Sequence, residues 1–71
     1  MNKYFNMVKF IELTDYNDEP LMVNVANIIW VEPYKTEEGT MVYVTAQGRN
    51  DYPVSLCVKE SYAQVTKLIK D

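Results

Sequence analysis

Apolar, β-branched and aromatic residues recur along this chain, and in residues 8–14, 41–45 and 52–58 they do so with the period of two that is typical of β-strands. Residues 21–25 and 28–32 are β-rich without strict alternation, which makes five strand-like stretches in all. Between them lie clusters of Asp, Asn, Gly and Pro, which favour turns. We therefore predict five strands. The third and fourth should be antiparallel neighbours, because a short charged loop with a glycine joins them.

Three local features modify the predicted strands. Residues 24–27 predict a single turn between the second and third strands. Pro33 predicts that the third strand is short or bulged near its end, because proline has no N–H to donate to a ladder. For the same reason Pro53 predicts that the fifth strand begins at a sheet edge. One face of the fifth strand should carry Tyr52, Val54, Leu56 and Val58.

After Val58 the pattern changes to helical spacing. Ser61, followed three residues later by Gln64, is a capping box in which each side chain satisfies a backbone N–H at the helix start. Lys67 and Lys70 lie in the last turn, where positive charge favours the carbonyl end. The apolar face of this helix consists of Tyr62, Val65, Leu68 and Ile69. Since one amphipathic helix is not stable alone in water, we expect it to pack on the sheet.

These elements predict a mostly β (α+β) fold. We expect a five-stranded antiparallel, strongly bent sheet or small open barrel, capped by one C-terminal α-helix. Residues 8–71 should form this single small domain. Residues 1–7 are polar and aromatic without a period, and we interpret them as an N-terminal extension.

The size of the chain limits its core. With 71 residues, hydrophobic burial barely outweighs the entropy of the unfolded chain. Cys57 is the only cysteine and histidine is absent, so neither an intramolecular disulfide nor a usual zinc ligand set can form within one chain. We therefore expect a homo-oligomer, or binding to another protein, to support the fold.

The charge pattern argues against two classes of partner. The net charge is −3, and the seven basic residues form no cluster. Nucleic acid and anionic membranes are bound chiefly through concentrated positive charge, so both are disfavoured. No apolar run approaches the roughly 20 residues of a membrane span, and the first residues lack the apolar segment of a signal peptide. Together with the unpaired cysteine, this predicts a cytoplasmic protein.

The side chains that could act as nucleophiles, acids, bases or metal ligands do not form a recognisable catalytic or metal-binding set. Cys57, Ser55 and Ser61 have no histidine to act as base, and we interpret Cys57 as a packed strand residue and Ser61 as a helix cap. The acidic turn at 15–19 lacks the glycine of a calcium-binding EF-hand loop, and Ala26 occupies the place of the final glutamate. Glu37 and Glu38 have no apolar neighbours in the sequence, and we interpret them as loop residues that aid solubility. The sequence therefore predicts a protein that is not an enzyme and that holds no metal or cofactor.

Five short motifs follow one another over residues 8–69. They are Ile11-x-Leu13-Thr14; Asn17 with Pro20-Leu21-x-Val23-Asn24; Ile28-x-x-Val31-Glu32; Thr40-x-Val42-x-Val44; and Val58-Lys59-Glu60-Ser61-x-x-x-Val65. Together they resemble the small FlbD-type proteins of flagellar and swarming operons. The resemblance implies a small non-enzymatic accessory protein related to motility, with no catalytic residue. The chain differs from that family in a longer turn at 46–53 and in apolar residues at Ile29 and Trp30.

The aromatic residues of the third and fourth strands are the strongest candidates for function. Trp30, Tyr34 and Tyr43 could share one face, and three interpretations remain open: ordinary core, a protein interface, or base stacking on single-stranded nucleic acid. We favour a non-catalytic interaction or adaptor module that acts through self-association or protein binding. Its predicted anchors are Ile29, Trp30, Met41 and Tyr43. The alternative function is an accessory nucleic-acid-binding protein of the small β-barrel type.

Overall fold

The computed structural model describes residues 8–45 and 53–71 of the chain. In this part, five strands are followed by one helix, with a short 3₁₀ turn between the second and third strands. The elements are β1 (Phe10–Thr14), β2 (Pro20–Asn24), the 3₁₀ turn (Val25–Asn27), β3 (Ile28–Pro33), β4 (Thr40–Val44), β5 (Val54–Val58) and α1 (Tyr62–Lys70). The predicted mostly β fold with a C-terminal helix is confirmed. The proposed extension at 1–7, the turn at 46–51 and Tyr52 lie outside the described residues.

The strands form two antiparallel sheets. β1 pairs with β2, and β3, β4 and β5 form the second sheet in that order. The sheets meet at one bridged pair, Asp15 and Val58. The ladder ends on both sides of this pair. On one side the chain leaves β1 in a turn, where the Asp15 carboxylate accepts hydrogen bonds from the N–H groups of Asn17 and Glu19. On the other side β5 ends at Val58 and the chain runs into the segment before α1. For the described residues, the prediction of a single five-stranded sheet or small open barrel is therefore wrong.

β3 contains a bulge near its start. Ile28 and Trp30 pair with adjacent residues of β4, so Ile29 between them is an extra residue on the β3 side. The prediction of a bulge near the end of the strand, based on Pro33, is wrong, because the pairing of β3 with β4 runs without a shift from Val31 to Pro33.

Pro33 fits this regular ladder because of its position in the hydrogen-bond pattern. The next residue, Tyr34, donates its N–H to the carbonyl of Gly39. Hydrogen-bonded pairs alternate along an antiparallel ladder, so the side of Pro33 that lacks an N–H points away from β4. Pro33 thus leaves the β3–β4 ladder intact and removes a donor from the outer edge of the sheet.

The core lies where both sheets meet α1. Its buried apolar residues are Ile11, Leu13, Val23, Val42, Val58 and Val65. Val65 is the fully buried residue of the helix, and Leu68 and Ile69 pack beside it, as predicted. Tyr62 was expected on this face but is 43% exposed, because it begins the helix at the rim of the core. In β5, Leu56 and Val58 pack in the core, whereas Val54 at the strand start is half exposed.

The start of α1 is fixed by the predicted capping box. Ser61 Oγ accepts a hydrogen bond from the backbone N–H of Gln64, and Gln64 Oε1 accepts one from the N–H of Ser61. Two N–H groups that a helix start leaves without partners are thereby satisfied. Lys67 and Lys70 occupy the last turn.

A second set of polar contacts joins the end of β1 to the segment before α1. Both oxygens of the Glu60 carboxylate accept hydrogen bonds from Thr14, at 2.9 Å from its N–H and 2.8 Å from its hydroxyl. The N–H of Lys59 donates to the carbonyl of Thr14, and the buried hydroxyl of Thr40 donates to the carbonyl of Glu60. These contacts, which we call the β1–α1 junction, connect the two sheets and the helix start.

Replacing Glu60 by alanine should destabilise the fold, because the N–H and hydroxyl of Thr14 lose their charged acceptor in a partly buried place. We expect the free energy of unfolding to fall by about 2 kcal/mol. The free energy of unfolding of Glu60→Gln should lie between those of wild type and Glu60→Ala, since glutamine keeps one acceptor oxygen. Urea unfolding followed by circular dichroism measures both. The matched control is Glu12→Ala at an exposed β1 position, and an equal loss in Glu12→Ala would contradict the role of the junction.

Gly39 occupies the tight end of the β3–β4 loop with a φ of +135°. A Cβ at this position would lie 2.3 Å from the hydroxyl oxygen of Tyr16 and 2.6 Å from the carbonyl oxygen of Val58. Tyr16 reaches over the loop and donates its hydroxyl to the carbonyl of Glu38 at 2.8 Å. Both the backbone angle and the space therefore require glycine.

Gly39→Ala should lower the free energy of unfolding by about 2 to 3 kcal/mol, because the strained φ adds to a clash with backbone that cannot move aside. Thermal and urea melts would measure the loss. Thr36→Ala, an exposed substitution in the same loop, should change stability little. A Gly39→Ala protein as stable as Thr36→Ala would show that the loop relaxes freely.

Candidate functional site

The sheet β3–β4–β5 has one face toward the core and one face away from it. Side chains alternate between the faces, so Val42 points to the core while its neighbours Met41 and Tyr43 point away. The register of the strands extends this second face across the sheet. We call it the outer face, and it consists of Trp30, Glu32, Met41, Tyr43, Ser55 and Cys57, with the bulge residue Ile29 at its margin.

An aromatic pair lies at one end of the outer face. Trp30 and Tyr43 are opposite each other in the β3–β4 register. Their ring centroids are 4.3 Å apart with an interplanar angle of 23°, which is a stacked arrangement. Aromatic pairs of this kind contribute more than their buried area alone. The rings therefore hold each other in a defined orientation on the sheet surface.

The bulge determines how much apolar surface this region exposes. In a regular strand, two consecutive residues point to opposite faces. Here Ile29 and Trp30 are 46% and 45% exposed, and Ile28 and Val31 on either side are partly buried against the core. The extra residue allows two large apolar side chains to lie next to each other outside the core.

Glu32 adds a charge to the aromatic pair. Its Oε2 accepts a hydrogen bond from the hydroxyl of Tyr43 at 3.2 Å. Burial raises the pKa of Tyr43 above its ordinary value of 10.0, and the negative charge and hydrogen bond of Glu32 raise this pKa further. The tyrosine thus stays protonated and donates its hydroxyl hydrogen to the carboxylate.

Two sulfur atoms lie in the middle of the outer face. Met41 and Cys57 are partners in the β4–β5 register, and the Cys57 Sγ is 3.2 Å from the Met41 Sδ. Both residues are half-buried. They give this part of the face a soft, apolar character.

The structure brings the predicted anchors together, with one change in the aromatic set. Trp30, Met41 and Tyr43 share the outer face, and Ile29 is exposed beside them. Tyr34 instead packs with Tyr16 from the turn after β1, with ring centroids 6.3 Å apart.

Sequence reasoning missed Glu32 and Cys57 as members of this face. A period of two counted from Trp30 leads to Glu32, so the signal for Glu32 was present in the sequence. The cross-strand pairing of Cys57 with Met41 depends on the register of β5, which the sequence pattern does not determine.

The other polar candidates have structural roles. The Asp15 carboxylate holds the turn after β1, and Asp18 forms an ion pair with Lys59. Ser61 is the predicted helix cap. Within residues 8–45 and 53–71, no group of three or more His, Cys, Asp or Glu side chains is placed to hold a metal ion. No helix of this part of the chain is long and apolar enough to cross a membrane.

The chain matches no protein-family model, no curated protein and no solved structure. The resemblance to FlbD-type proteins therefore stays a prediction that rests on the motifs quoted above.

The ionisation of Tyr43 can be followed through Trp30, which is the only tryptophan of the chain and is in contact with the tyrosine ring. A tyrosinate quenches a neighbouring indole, so Trp30 fluorescence should fall with a midpoint above pH 10.0. Glu32→Gln should lower this midpoint without bringing it back to 10.0, because burial is the larger cause of the shift. Tyr43→Phe, which keeps the ring, should remove the transition.

The same shift makes a stability prediction. The folded state holds the Tyr43 proton more tightly than the unfolded chain. The stability that protonated Tyr43 gives the folded state is therefore fully present below pH 10.0, and it is lost as the pH rises through the higher pKa of the folded state. Urea midpoints measured on both sides of pH 10.0 should decline less in Tyr43→Phe than in wild type. For the fluorescence titration described above, identical midpoints in wild type and Glu32→Gln would contradict the proposed effect of the Glu32 carboxylate on the pKa of Tyr43.

Proposed function

We propose that this protein is a non-catalytic interaction module that binds another protein chain through its outer face. The single observation that carries the proposal is the stacked pair of Trp30 and Tyr43, oriented on the surface with Trp30 45% exposed. Trp and Tyr are the residues most enriched at the energetic centres of protein interfaces. Because the two rings already hold each other, little conformational entropy is lost when a partner packs on them.

The surroundings of the pair support a face contact rather than an edge contact. Ile29 extends the apolar surface at one side, and Met41 with Cys57 extends it across the sheet. The edge of β3, by contrast, is interrupted by the bulge and by Pro33, two features that hinder the addition of a further strand. A partner that packs flat on the outer face avoids both.

The small core gives a second reason for a partner. Six buried apolar residues form it among the described residues, and no intramolecular disulfide can support it. Covering the outer face would add buried apolar area to a domain that has little. The partner is either a second copy of this chain or a different protein. By the resemblance to FlbD-type proteins, we place this role in motility, and by composition in the cytoplasm.

The proposal is tested by capture from cells of the source organism with three tagged forms of the chain. Trp30→Glu should lose its specific partners, including an untagged second copy, by about tenfold or more, since a charge replaces the aromatic anchor. Wild type is the reference. Tyr62→Glu is the matched control, because Tyr62 is an aromatic residue of similar exposure on α1, away from the outer face.

Two measurements make the result interpretable. Circular dichroism should show that Trp30→Glu keeps its fold, and light scattering across a dilution series shows whether a second copy is the partner. If the Trp30→Glu and Tyr62→Glu forms retain the same proteins as wild type, the outer face is not the binding surface and the proposal is wrong.

A further inference from the structure

We propose that the partner places an arginine side chain on Trp30, with its guanidinium group paired to Glu32. This inference rests on the proposed function and names the chemistry that the outer face recognises. The occupant is an arginine-bearing segment of a different protein.

The aromatic part of this site attracts a cation. The face of an indole ring carries negative charge density, and cations bind over Trp more strongly than over other aromatic rings. One side of the Trp30 ring stacks on Tyr43, and the residue as a whole is 45% exposed. The stack fixes the orientation of the ring before a ligand arrives. A planar group can therefore stack on a flat ring whose orientation is already fixed, so that little conformational entropy is lost on binding.

The carboxylate supplies the charge that an apolar patch lacks. Glu32 follows Trp30 on the same face of β3, and it is half-buried. The Tyr43 hydroxyl binds its Oε2, which anchors the carboxylate beside the stacked rings. Among the described residues, Oε1 has no hydrogen-bond partner, so it is available to an incoming donor. A guanidinium combines both needs, since it stacks flat on an aromatic ring and donates several hydrogen bonds to a carboxylate.

Charge complementarity separates a foreign partner from a second copy. In a two-fold contact of one outer face on another, both faces would carry Glu32 and neither would bring its counter-charge. The chain as a whole has a net charge of −3, which favours basic partners and opposes self-contact. Its single arginine, Arg49, lies outside the described residues. The face thus fits a basic protein better than it fits itself.

Two synthetic tripeptides test the inference directly. Both are capped at each end and carry two valines; the middle residue is arginine in one and citrulline, its neutral isostere, in the other. In NMR titrations of the full chain, the indole N–H of Trp30 is a single assigned probe. We expect the arginine peptide to shift this signal with about tenfold higher affinity than the citrulline peptide, and the difference to shrink at high salt.

A pair of variants identifies the charge responsible. Glu32→Gln should remove most of the preference for the arginine peptide and leave only the part that comes from the cation over the Trp30 ring. Glu12→Gln, which makes the same change in net charge at an exposed residue of β1, should leave the preference intact. The comparison of the two peptides on wild type needs no variant, so it decides the question even where Glu32→Gln is poorly folded.

Each other outcome overturns the inference. Equal binding of the two peptides, or no shift of the Trp30 signal, excludes recognition of the guanidinium. A stronger response to a short oligothymidylate would indicate base stacking instead. If the peptides fail while the Trp30→Glu form still loses its partners from cells, this inference fails and the proposed function stands. If Trp30→Glu keeps its partners, the proposed function fails too.

Discussion

The β1–α1 junction holds the two sheets of this protein together. The two sheets share one bridged pair, Asp15 just after β1 and Val58 at the end of β5, which is too little contact to orient one sheet on the other. The additional hydrogen bonds come from the segment that leads into the helix, where Glu60 accepts from Thr14 and the buried Thr40 donates to the Glu60 carbonyl. Because Val58 and Val65 lie on either side of this segment, the same contacts that join the sheets also direct the helix onto the core.

Local signals predicted most of the fold, and long-range pairing accounts for what they missed. The capping box at Ser61 and Gln64 depends on residues three positions apart, so the sequence alone located the helix start. The five strands were likewise visible as runs of β-forming residues, some of which alternate with a period of two. Whether they form one sheet or two depends on how far β1 follows β5. That pairing is limited by the turn at Asp15 on one side and by the end of β5 at Val58 on the other. No periodic pattern in the sequence records where two distant segments stop pairing.

The candidate site shows the same division between local and non-local information. The sequence placed Trp30 and Tyr43 on the two strands of one predicted hairpin, and the register of that hairpin brings them together as predicted. Their carboxylate partner was overlooked because Glu32 looks like an ordinary strand residue until its hydrogen bond to Tyr43 is seen. A single acidic residue beside an aromatic pair places a negative charge on a surface that is otherwise apolar. That placement depends on side-chain geometry rather than on residue type.

The bulge at Ile29 has a consequence for how this protein can change. In a regular strand, outer and core residues alternate one by one, and a one-residue shift in register moves every side chain to the opposite face. With the extra residue in place, Ile28 and Val31 pack against the core while the two residues between them lie outside it. Substitutions at those two sites therefore change exposed surface rather than core packing. This part of the surface can vary, in evolution or by design, with little effect on the core beneath it.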